Sequence, residues 1–141
     1  MTTKFSPILK VKNLDVEKLE NKIAKLNNQK KALHLEIDSL KEELKNSSTP
    51  KSGTINELRK NFFQNDLIKQ NINIKLQNIE FLEEQIKSTK LLLKKAMLEY
   101  EKIKYLHQLE EKKMIDKIKK EEAKNLDEIG ALLFTLNKED L

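Results

Sequence analysis

Pro7, Pro50, Gly53 and Gly130 are the only prolines and glycines in a chain of 141 residues. A globular domain of that length ordinarily carries roughly ten glycines and seven prolines. Tight reversals draw on those residue types, so sandwiches, barrels and doubly wound sheets lack the turns they need here. The chain is filled instead by Leu, Ile, Lys, Glu and Gln, which give up little rotamer freedom in a helix. The expected class is all-α, built from one or two very long helices.

A period of seven sets the architecture. Leu9, Val16, Ile23, Lys30, Ile37 and Leu44 form one column, and Phe5, Lys12, Leu19, Leu26, Leu33 and Leu40 form a second. The columns are three residues apart, the a/d seam of a coiled coil, with β-branched residues frequent at a and Leu at d. Pro7 falls near the start, where its missing N–H costs little. A first helix is predicted over about residues 5–46, roughly 60 Å long.

The pattern stops at Asn46-Ser47-Ser48-Thr49-Pro50-Lys51-Ser52-Gly53-Thr54, the one strong breaker. Residues 47–53 are therefore predicted to turn between antiparallel helices. Thr54 followed three residues later by Glu57 is a capping box. Helix two is predicted over about 54–137, so that 1–141 forms a single coiled-coil domain, a long antiparallel two-helix hairpin. Its a column reads Ile72, Ile79, Ile86, Leu93, Tyr100, His107, Met114; its d column reads Ile68, Lys75, Leu82, Thr89, Ala96, Ile103. Near residue 107 the register is expected to slip by about one residue, to Ile115, Ile118, Leu126, Ile129, Leu133 and Leu136. At roughly 125 Å, helix two is twice as long as its partner. Either its far part projects unpaired, or it bends or breaks, for which 61–66 is the natural place because Asn and Asp interrupt the helix formers there.

Charge and composition bound the function. Lys plus Arg is 28 against 23 Asp plus Glu, a net +5, yet Arg59 is the only arginine. Nucleic-acid binders rely on Arg for bidentate contacts, and most basic windows here are matched by acids, so no nucleic-acid partner is expected. The chain has no Cys, His34 and His107 are far apart, and both glycines stand alone, so no metal site or phosphate loop is expected. A two-helix seam offers no concave pocket, so no catalysis, cofactor or small-molecule substrate is expected. The longest apolar run, residues 130–136, is far short of the ~20 residues of a membrane span, which predicts a soluble, cytoplasmic protein. Residues 110–124 hold six Lys and five acids, either a solvated face of i,i+4 pairs or a contact surface for a larger partner.

Two apolar groups exceed what a seam requires. Adjacent Phe62 and Phe63 point about 100° apart, so one seam cannot bury both. Either one enters the seam while the other covers the turn, or one is an exposed anchor, with Leu67, at the hairpin tip. At the other end, Phe5, Ile8 and Leu9 would face Leu126 to Leu136 only if the helices stay in contact.

These residues together resemble a known family. An entry segment Lys-Phe-x-x-Ile-Leu-Lys-Val-Lys, a first helix of about 40 residues, a polar turn and a long charged helix ending in Leu126-Asp127-Glu128-Ile129 resemble the flagellar export protein family FliJ. The Trp often found midway along that family's second helix is missing here. The resemblance implies a stalk of the flagellar type III export apparatus, similar to the rotor stalk of F1-type ATPases. The end bearing both termini would enter the hexameric export ATPase, with Phe5, Leu9, Asp127 and Glu128 there. The hairpin end would reach a membrane protein, the export gate, by its cytoplasmic domain, with Leu40, Leu44, Phe62, Phe63 and Leu67 there. Export chaperones are possible further partners. The protein would be a monomer alone, held at the inner face of the membrane through the apparatus. Competing readings are the equivalent stalk of a virulence type III secretion system, or a generic structural coiled coil.

Overall fold

The computed structural model describes residues 2–47 and 53–139. They form two helices, α1 (Ser6–Asn46) and α2 (Ile55–Glu139), packed on one another as an antiparallel hairpin, and no strand occurs among the described residues. Most of the predicted turn, residues 48–52, lies outside the described residues. The chain divides into a hairpin unit, Val16–Lys95, and a terminal unit, Met1–Asp15 with Ala96–Leu141.

In the hairpin unit the two predicted columns of each helix form the core. Ile37, Ile72 and Ile79 are buried together, with Leu33, Leu40 and Ile68 packed against them. Leu26, Leu82 and Ile86 form a second cluster that shares Leu33. Each such side chain removed from water contributes about 1.5–3 kcal/mol. Among the described residues seven hydrophobic side chains are buried, all from this unit, so the core is thin and the polar seam positions matter. Thr89, at a d position and 2% exposed, satisfies its hydroxyl by donating to the Gln85 carbonyl at 2.7 Å. Lys30 and Lys75 lay their aliphatic stems along the seam and carry their charge across it. Lys75 Nζ reaches Glu36 Oε2 at 2.6 Å, and Lys30 Nζ reaches Glu83 Oε1 at 3.1 Å. A residue later on α1 meets one earlier on α2, which fixes the antiparallel register.

Helix two starts as the sequence predicts. Thr54 Oγ1 accepts from the Glu57 N–H at 3.2 Å while Glu57 Oε2 accepts from the Thr54 N–H at 3.3 Å. Gly53 leaves that carboxylate its room, since a Cβ there would lie 2.7 Å from Glu57 Oε2. No break follows at 61–66, where one was allowed for: α2 runs through without interruption. Asn61 and Asn65 are half-buried at the positions that continue the seam, so the poor helix formers are compensated by tertiary contact.

The terminal unit has no buried hydrophobic residue; Thr3, 8% exposed, is its one buried side chain among those described. Phe5, Leu9 and Lys12 of the first segment, and Ala96, Tyr100, Ile103, His107 and Met114 of α2, are half-buried, as their columns require. The expected register slip near 107 does not occur. The original a column continues through His107 to Met114, while Ile115 and Ile118 are 42% and 47% exposed. Every residue from 115 to 138 is exposed, so the shifted stripe has no helix to select it.

Candidate partner-binding site

Near the start of α2 the seam is polar, and this decides what happens to the two phenylalanines. The Ser47 hydroxyl donates to Asn65 Oδ1 at 2.7 Å, and Asn65 Nδ2 donates to the Ser47 carbonyl at 3.4 Å. Asn65 thus holds the end of α1, where orphan carbonyls need partners. With Asn61 and Asn65 occupying the seam, Phe62 and Phe63 are both turned out, 63% and 65% exposed. Neither enters the seam, contrary to the first of the two sequence expectations, and two rings rather than one are available.

Leu67 is 48% exposed and lies one helical turn beyond Phe63 on the same face. Ile74 and Phe81 follow at intervals of seven, 57% and 60% exposed. Phe63, Leu67, Ile74 and Phe81 therefore form an outward apolar stripe along α2. Sequence reasoning that counted two columns missed Ile74 and Phe81; a third column, one residue before d, carries them. Leu40 and Leu44 differ from these side chains. Leu40 packs on the Ile37 cluster and Leu44 is half-buried, so both support the end of the hairpin more than they present a surface.

In the terminal unit Thr3 organises the start of α1. Its N–H donates to Ser6 Oγ at 3.0 Å, its hydroxyl oxygen accepts from the Phe5 N–H at 3.1 Å, and its carbonyl accepts from the Ser6 N–H at 3.1 Å. The same Thr3 Oγ1 lies 2.7 Å from His107 Nδ1, while His107 Nε2 lies 2.8 Å from Glu111 Oε1. Lys12 Nζ meets Glu99 Oε2 at 2.6 Å. The hydrogen bond and charge of Glu99 raise the Lys12 pKa, and the same bond and the Lys12 charge lower that of Glu99. Lys4 Nζ sits 5.3 Å from the centre of the Phe5 ring.

Asp127 and Glu128 lie in the exposed run of α2, beside Leu126 and Ile129, which are 69% and 53% exposed. The Phe5–Leu9 segment does not face Leu126 to Leu136. Thr3 meets α2 at His107, about 30 Å along the helix from Asp127. Among the described residues no cluster of His, Cys, Asp or Glu is placed to hold a metal ion, and no helix is long and apolar enough to cross a membrane.

A thin two-helix seam with outward apolar stripes defines a helical coiled-coil scaffold. The family model described as "Flagellar FliJ protein" matches residues 1–139, and the chain belongs to that family, whose members are components of flagellar type III protein export. The family is one of structural export components, not of enzymes. Comparison with curated proteins and with solved structures gives no significant match in either case.

Proposed function

We propose that this protein is a stalk of the flagellar type III export apparatus, linking the hexameric export ATPase to the export gate and aiding the handling of substrates and chaperones. The observation that carries this reading is the exposed pair Phe62 and Phe63 with Leu67, outward on a helix whose seam is already satisfied by Asn61 and Asn65. Aromatic side chains displayed in this way are the usual anchors of a protein interface. They face the cytoplasmic domain of the gate protein, with Leu40 and Leu44 bracing the helix end behind them. Phe5, Leu9, Asp127 and Glu128 face the ATPase. The long exposed run from 115 to 138, rich in Leu and Ile, is then covered on assembly, which makes the thin fold partner-dependent. The protein acts in the cytoplasm at the inner face of the membrane and is a monomer when alone.

The test is capture of the purified export ATPase and of the purified gate cytoplasmic domain by wild-type protein and two variants. Phe62→Ala/Phe63→Ala should lose the gate domain and keep the ATPase. Asp127→Lys/Glu128→Lys should do the reverse. Equal binding by all three proteins would remove the assignment of the two surfaces, and no capture of either partner would remove the stalk.

A further inference from the structure

The net charge of the chain is concentrated in one part of the hairpin unit. Residues 16–31 and 85–95 together hold nine lysines and two glutamates, a net +7, whereas the whole chain is +5. The remainder is therefore slightly acidic, and the unit carries a basic collar. Within it, α1 and α2 flank an open groove of about 500 Å³. Ile86, 7% exposed, forms its floor, and the Lys30–Glu83 ion pair closes one side. Lys87, Lys90, Leu91 and Lys94 form the rim.

Two facts separate this rim from an ordinary solvated face. Among the described residues Lys87, Lys90 and Lys94 have no carboxylate partner, although Lys12, Lys30 and Lys75 each hold one across the seam. Leu91 is 61% exposed and sits one helical turn from both Lys87 and Lys94, so an apolar side chain is bracketed by two ammonium groups that hold no ion pair among the described residues.

We propose that this groove binds an acidic amphipathic helix of another protein. Such a helix would lay Leu or Ile residues on Leu91 and Ile86, and set Glu or Asp residues against Lys87, Lys90 and Lys94. A third helix fits the groove of a two-helix coil by the same interdigitation that joins the first two. A second copy of this chain would bring its own +7 collar and is repelled. Nucleic acid is the poorer match, because the collar has neither Arg for bidentate phosphate contacts nor any aromatic ring for base stacking. This inference does not depend on the export-stalk reading.

The probe is a fluorescein-labelled synthetic helix of about 21 residues, six turns, with Leu on one stripe and Glu on its flanks. A scrambled peptide of the same composition is the control, and binding is read by anisotropy. Wild-type protein should bind the striped peptide roughly tenfold more tightly than the scrambled one. Lys87→Glu/Lys90→Glu/Lys94→Glu should lose roughly tenfold or more, and Leu91→Ser about fivefold, both with unchanged far-ultraviolet circular dichroism. On the wild-type protein, amide shifts on titration should be confined to about residues 27–31 and 83–94. Equal binding of the two peptides, wild-type affinity in the triple variant, shifts centred elsewhere, or displacement of the peptide by poly-uridine at equal charge would each overturn the proposal.

Discussion

Thr3 and His107 are joined by a 2.7 Å contact between Oγ1 and Nδ1, across 104 residues of sequence. Thr3 is the one buried side chain described in the terminal unit, so this contact, rather than apolar burial, locates the first residues against α2. Thr3→Val keeps the shape and deletes the hydroxyl. It leaves His107 Nδ1 without its partner and the Phe5 N–H without its acceptor, at a cost of about 1–3 kcal/mol. The loss should be local. Amide hydrogen exchange over about residues 5–12 is expected to accelerate, with no change around Ile37; equal acceleration in both places would show that the contact is incidental.

The core of the hairpin unit is thin enough for one side chain to matter. Ile37 is 2% exposed and packs with Ile72 and Ile79. Ile37→Ala is expected to destabilise by about 2–5 kcal/mol, through lost burial and the cavity left behind. Leu35, two positions away and 63% exposed, should change stability by less than about 0.5 kcal/mol as Leu35→Ala. Thermal unfolding followed at 222 nm separates the two; similar shifts would place the seam wrongly.

The seam was legible because a period of seven is a purely local signal. Ile37, Ile72, Ile79 and the Thr54–Glu57 cap stand where spacing and residue type put them. Asn61 and Asn65 were harder to read, since intrinsic propensity argues for a break there and only the contact with Ser47 shows the compensation. The same substitution of polar for apolar seam residues turned both Phe62 and Phe63 outward, which neighbouring residues alone could not reveal. The expected slip at 107 failed for a related reason. A stripe such as Ile115, Ile118 and Leu126 selects a register only if a helix lies opposite, and that depends on where the first segment meets α2. The Thr3–His107 contact, being long-range and polar, leaves no periodic trace. The family resemblance supplied the export setting, while Ile74 and Phe81 were overlooked because a third column was not counted.

Gly130 offers a test of the exposed part of α2. It lies inside the helix, and a Cβ added there meets nothing within 4 Å. No turn or close approach requires it, so its backbone freedom only weakens the helix. Gly130→Ala should stabilise the local helix by about 0.5–1 kcal/mol. Amide exchange over about residues 121–138 is expected to slow by several-fold, with the exchange of residues 16–95 unchanged. Faster exchange would mean that the glycine serves a bend or a contact.

The Lys12–Glu99 pair predicts a window of pH. Glu99 has its carboxyl pKa lowered by the Lys12 hydrogen bond and charge, so its contribution is present above the unfolded value of 4.5 and is lost as pH falls through the lower folded value. Lys12 has its pKa raised, chiefly by the hydrogen bond to Glu99. Its contribution is present below the unfolded value of 10.5 and is lost as pH rises through the higher folded value. Between those limits the pair helps to hold the start of α1 on α2, and salt should weaken it because both groups meet solvent. Lys12→Met retains the apolar stem in the seam and removes the charge. The difference in thermal midpoint between wild type and Lys12→Met should be flat between about pH 5 and pH 10 and should shrink outside it on both sides. A difference that persists unchanged at pH 3 would mean that lost packing, not the ion pair, accounts for the effect of the variant.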